Sequence, residues 1–220
     1  MPSTSPSPGV SSLSCHSLRN SHHHSNVRFC RRADASRHAG LSRWRMVYRS
    51  AMLYRIRKNT RAAALPAVVF DFDVTRLDPV EPVRLASGGE LRAVAGDASG
   101  GTFFLCDGGP VLYADSEGGA AIVAADLDAV IRLVVGVPTC PDVVSDAPDV
   151  KAMRASFESS YAELKAGEPG IDQVRAEVIA ELELGQVAVD ELLASLSRCL
   201  TELSPDYVLL NENGDEYDPL

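Results

Sequence analysis

Residues 96–136 read GDASGGTFFLCDGGPVLYADSEGGAAIVAADLDAVIRLVVG, and the chain changes character along them. Gly96-Asp97-Ala98-Ser99-Gly100-Gly101 is a turn, because glycine reaches positive φ without penalty and aspartate bonds its own backbone. Thr102 to Cys106 then reads as a strand, Asp107 to Pro110 as another turn, and Val111 to Ala114 as a second strand. Short strands joined by Gly/Asp turns predict an antiparallel meander. Further on the period lengthens. Leu127, Val130, Ile131, Val134 and Val135 stand at i, i+3, i+4, i+7 and i+8, one face of a helix, with Asp126 placed to cap it and Gly136 and Pro138 to stop it.

Toward the N-terminus, Ala67 to Phe72 is apolar enough for a strand or the start of a packed segment, after which Pro79 and Pro82 impose an irregular path. Val83 to Leu85 and Leu91 to Ala95 flank the turn Ser87-Gly88-Gly89, which predicts a hairpin. Toward the C-terminus three more helices are expected. Asp149 opens one with the stripe Val150, Met153, Phe157, Tyr161 and Leu164, ended by Gly167 and Pro169. Ile171, Val174, Val178 and Leu182 mark the next, with Gly185 beyond it. Val189, Leu192, Leu193, Leu196, Leu200 and Leu203 mark the last, before Pro205. Tyr207 to Leu210 reads as a closing strand that turns at Asn213-Gly214. No internal repeat is read along the chain. The expected fold is α+β: an antiparallel or mixed sheet backed by helices in residues 66–145, a helical C-terminal region in 149–220 packed on it, and a disordered basic tail in 1–61.

Charge divides the chain the same way. Residues 1–61 carry twelve Arg and Lys against the single acid Asp34, a net +11, whereas the remaining 159 residues carry nine basic and 29 acidic side chains, a net −20. All five histidines (His16, His22, His23, His24 and His38) lie in the first segment. The body therefore offers no imidazole for Ser/His/Asp or Cys/His catalysis or for the commonest zinc sites. Cys15, Cys30, Cys106, Cys140 and Cys199 form no CxxC pair, which reads as reduced thiols in a cytosol-like compartment. No apolar run approaches a membrane span, so a soluble, cytoplasmic chain is expected. Three readings of the basic tail stay open: an Arg- and Ser-rich transit peptide, a basic arm, or a true start at Met46 or Met52 with upstream sequence translated in error. Nucleic acid is a disfavoured partner, since charge runs of this kind are usually just solvated.

One stretch suggests chemistry. VVFDFDVTRLDP, 68–79, delivers Asp71 and Asp73 two apart from an apolar run, with Thr75 following. Phosphatases of the haloacid dehalogenase type use such a pair as nucleophile and general acid/base around magnesium. Against this, Val74 stands where that loop has glycine and Arg76 where it has an apolar residue. The body lysines, Lys151 and Lys165, fall on an expected helix rather than near the motif.

A second resemblance covers residues 93–136, which are similar to the central segment of the SUKH superfamily, the group of fungal cell-wall synthesis regulators and many bacterial toxin-immunity proteins. The likeness lies in the Gly/Asp turn before the strand Thr102 to Leu105, in Val111, Leu112 and Tyr113 running into the acidic turn of Asp115 and Glu117, and in the amphipathic helix from Ala124 to Val135. It implies a non-catalytic protein-binding module, in the immunity case one that neutralises a toxin, and it assigns no catalytic, cofactor or metal residue and no binding residue. The partner implied is a protein, with a basic toxin domain suited to the acidic body. The alternatives are a magnesium-dependent phosphatase using Asp71 and Asp73, and a regulatory adaptor of the same fold. Phe103, Phe104 and Tyr113 are candidates for a partner groove or for plain sheet core. Asp97 with Gly100 and Gly101 is a candidate ion cradle or a plain turn.

Overall fold

The two middle strands of the meander are buried along both of their sides, and the two sides belong to different clusters. A computed structural model describes residues 51–58, 63–64, 66–67, 70–107 and 109–220. The elements run α1 (Ala51–Lys58), β1 (Arg84–Leu85), β2 (Leu91–Gly96), β3 (Thr102–Cys106), β4 (Val111–Ala114), β5 (Gly119–Ala124), α2 (Leu127–Gly136), α3 (Cys140–Val144), α4 (Val150–Gly167), α5 (Ile171–Glu181) and α6 (Val189–Arg198). A π-helical turn (Cys199–Leu203), a 3₁₀ turn (Ser204–Asp206), β6 (Leu209–Leu210) and β7 (Asp218–Pro219) follow. The fold is α+β. A five-stranded sheet of order β2-β3-β4-β5-β7 is antiparallel except for the parallel β5–β7 pair, and β1 and β6 form a second, two-stranded sheet.

Because side chains alternate along a strand, Phe103 and Leu105 of β3 point to one face, with Val111 and Tyr113 of β4 and Val123 of β5. That face is packed by α2 (Val130, Ile131, Val134), α4 (Met153, Phe157) and α6 (Leu193, Leu196), with Ile56 of α1 also buried there. Phe104, Cys106, Leu112, Ala114 and Ile122 point the other way and are covered by Leu85, Cys199 and Leu209. The C-terminal segment therefore passes from one face of the sheet to the other. On its way the Ser204 hydroxyl accepts a hydrogen bond of 2.7 Å from the Ile122 amide. That amide lies on β5 beyond the two residues that β7 pairs, so the hydroxyl satisfies a donor that the ladder leaves open.

Several expectations are corrected. Val83 to Leu85 does not form a hairpin with Leu91 to Ala95; β1 pairs instead with β6, Leu85 opposite Leu209. Of the stretch Ala67 to Phe72, Ala67 is helical, residues 68 and 69 lie outside the described residues, and Phe70 to Phe72 form no strand but begin a packed segment, with Phe70, Phe72 and Val74 buried. Only Asp73 joins the sheet, by an isolated antiparallel bridge to Gly96. β5, α3 and β7 appear where no element was expected. The expected tail ran to Arg61, yet residues 51–58 are helical and Arg55 bridges Glu183 at 2.7 Å. The rest of that expectation, residues 1–50 and 59–61, lies outside the described residues.

Gly136, expected as a helix stop, is the last residue of α2. A methyl group there would collide with Leu192 and Val187, so glycine serves close approach of α6. The orphan carbonyls at that helix end are met from α5: Arg175 donates Nε to Val135 O (2.9 Å) and Nη2 to Gly136 O (3.0 Å).

Candidate functional site

Two hairpin loops at one end of the sheet share a pattern that the linear reading passed over. Asp97-Ala98-Ser99-Gly100-Gly101 joins β2 to β3, and Asp115-Ser116-Glu117-Gly118-Gly119 joins β4 to β5. In each loop the backbone amide of the aspartate donates to the carbonyl of the second glycine (Asp97 to Gly101, 3.0 Å; Asp115 to Gly119, 2.9 Å). In each, the aspartate Oδ1 accepts the amide of that same glycine, at 2.7 Å for Gly101 and 2.8 Å for Gly119. Each first glycine sits at φ 100°, where a side chain would be strained, and a Cβ on either second glycine would press into the carboxylate. Asn211 repeats the device once more, its Oδ1 accepting from Asn213 N and Asp215 N, with Gly214 at φ 90°.

The first two loops flank a cleft of about 250 Å³ whose lining includes Asp71, Asp97 and Asp115. Its apolar wall is Val123, Val134, Val137, Cys140 and Val144, and Phe70, Phe103 and Tyr113 add aromatic surface. Phe103 and Tyr113 face each other across β3 and β4 with ring centroids 4.7 Å apart. Among the described residues no lysine, arginine or histidine lines the cleft. Phe104, the third aromatic candidate, lies on the opposite face of the sheet.

Asp97 is the buried acid. Its Oδ1 accepts from Gly101 N and from Ser99 Oγ (2.8 Å), and its Oδ2 accepts the Tyr113 hydroxyl at 2.5 Å. Burial foremost, and then the bond to Asp97, raises the Tyr113 phenol far above its usual range, so it stays a donor. The neighbouring Cys140 thiol is likewise raised, to about 12, chiefly by burial. No reactive thiolate is presented to the cleft at neutral pH.

The two carboxylates of the phosphatase motif part company. Asp71, at φ 52°, lines the cleft and its Oδ1 accepts the Ala98 amide at 2.6 Å. Asp73 is not a lining residue. Its Oδ1 accepts the amide (2.8 Å) and the hydroxyl (2.6 Å) of Thr75, and the hydroxyl bond is the largest cause of a lowered pKa. Val74, directly after Asp73, is buried, and Lys165 is bound to Asp172 on the helical side. Among the described residues no group of three or more His, Cys, Asp or Glu is placed to hold a metal ion. Asp97 with its glycines is engaged as a turn.

No family model, no curated protein and no solved structure matches this chain. The site is therefore read from its own chemistry. Among the described residues no helix is long and apolar enough to cross a membrane.

Proposed function

We propose that the chain is a non-catalytic protein-binding module of the SUKH type, an immunity protein that neutralises a basic toxin domain. The observation that supports it best is the cleft between the two aspartate loops, acidic and apolar with no cation among the described residues of its lining. Its acids hold the backbone of their own and adjoining loops, which suits a fixed recognition surface more than a proton-transfer site. The net charge of −20 on residues 62–220 supports the choice of a basic partner, because opposite charge speeds encounter and discriminates among partners. A cytosol-like compartment belongs to the same reading, supported by the unpaired thiols of Cys106, Cys140 and Cys199.

The test is co-expression with the products of adjoining genes. The expected result is that a toxin domain encoded nearby co-purifies with this chain and that the chain restores growth of cells producing it. Failure of every adjoining product to bind overturns the immunity reading. A parallel assay addresses the enzyme alternative: hydrolysis of a generic phosphate ester with magnesium is expected to be nil. A rate present in the wild type and abolished in Asp71→Asn would replace the binding-module reading with the phosphatase.

A further inference from the structure

The geometry points to one occupant for the cleft, and we propose that it receives an arginine side chain of the partner protein; this rests on the protein-binding reading above. Size comes first. About 250 Å³ is below the roughly 300–1,000 Å³ of pockets that enclose drug-sized ligands, and suits one long side chain. Charge comes next. Asp71, Asp97 and Asp115 line the cleft with no basic side chain beside them among the described lining residues, and Arg76 donates its Nη1 to the Asp97 carbonyl (2.8 Å) without being a lining residue.

The three acids are not equally available. Both Asp97 oxygens already accept bonds, whereas Asp71 and Asp115 each use only Oδ1, toward Ala98 N in one case and toward Glu117 N and Gly119 N in the other. Their Oδ2 atoms have no hydrogen-bond partner among the described residues. Two open carboxylate oxygens call for a donor with several N–H groups and a spread positive charge. The aromatic surface of Phe70, Phe103 and Tyr113 suits a planar cation, and the valine wall suits an aliphatic stem. Guanidinium meets these demands together. A lysine ammonium, compact and strongly hydrated, meets only the charge.

The test titrates the full-length ¹⁵N-labelled chain with N-acetyl-arginine methylamide, following backbone amide shifts. Its uncharged ureido analogue, N-acetyl-citrulline methylamide, is the shape control, and n-butylguanidinium tests a free small guanidine as the occupant. Arginine is expected to move the Ala98, Gly101 and Gly119 amides saturably. Citrulline is expected to bind roughly tenfold more weakly, and Asp71→Asn and Asp115→Asn each to weaken arginine by about three- to tenfold. Both substitutions retain the Oδ1 acceptor of their loops, and asparagine tolerates the positive φ of position 71. Unchanged amide spectra away from the cleft verify that the variants fold.

Equal binding of citrulline, or shifts confined elsewhere, overturns the assignment. Tighter saturation by butylguanidinium at the same amides also overturns it, giving the cleft to a small guanidine. A co-purifying partner that binds the double variant as tightly as wild type removes the arginine from the cleft while leaving protein recognition standing. A wild-type chain that captures no partner defeats that reading itself.

Discussion

Tyr113 and Asp97 show how much a single pair can hold. The phenol donates to a carboxylate that two loop donors already bind, all within a buried site. Tyr113→Phe would leave Oδ2 without its partner, and a loss of about 2 kcal/mol is expected by urea denaturation, since bonds to charged acceptors lie at the upper end of the range. Its pKa is raised in the folded protein, so the unfolded chain surrenders the phenolic proton first. The stabilisation is complete below about pH 10 and is lost as pH rises beyond it. The wild-type melting temperature should therefore fall more steeply above that pH than that of Tyr113→Phe; parallel curves would refute the coupling. The aspartate turn itself was legible, because DASGG carries turn residues at the needed places. Its pairing with Tyr113 was not: the two residues are 16 apart and meet only through the β3–β4 register.

The elements whose sequence signal is local formed where it placed them. α2 starts at the Asp126 cap, which accepts from Ala129 N at 2.8 Å, and α4 starts at the Asp149 cap. Elements defined by distant partners were hidden. β1 resembles half of a hairpin until Leu209 is brought opposite Leu85, and β5, GAAIVA, is rich in small residues with little strand preference of their own. β7 contains a proline and is a strand only because β5 lies beside it. The end of α2 is equally non-local. Arg175→Met keeps the aliphatic stem but frees the carbonyls of Val135 and Gly136. A cost of about 2 kcal/mol is expected by urea denaturation. Faster hydrogen exchange should be confined to the last turn of α2 and the α5 surface beside it. A neutral result would mean that water replaces the guanidinium at no loss.

Across the whole molecule, the sheet lies between a helical layer on one face and a cover built from β1, β6 and the turn after α6 on the other. Burial raises Cys106, on the sheet under that cover, to about 12 and raises Cys199, which belongs to the cover and is buried against the same cluster. Iodoacetamide should therefore label them only as the cover opens, at rates that climb with urea and are read by peptide mass mapping. Labelling in buffer at the rate of an exposed thiol would contradict the packing. The cover was illegible for the reason β1 was: it joins residues 84–85 to residues 209–210. That separation sets a timetable. At about 5–20 residues per second, roughly 4–17 s of translation separate the completion of β5 at residue 124 from the addition of residue 210. Throughout that interval Phe104, Leu112 and Ile122 lack their native lid, and the nascent chain presents a greasy strand face for which chaperones and neighbouring polypeptides compete.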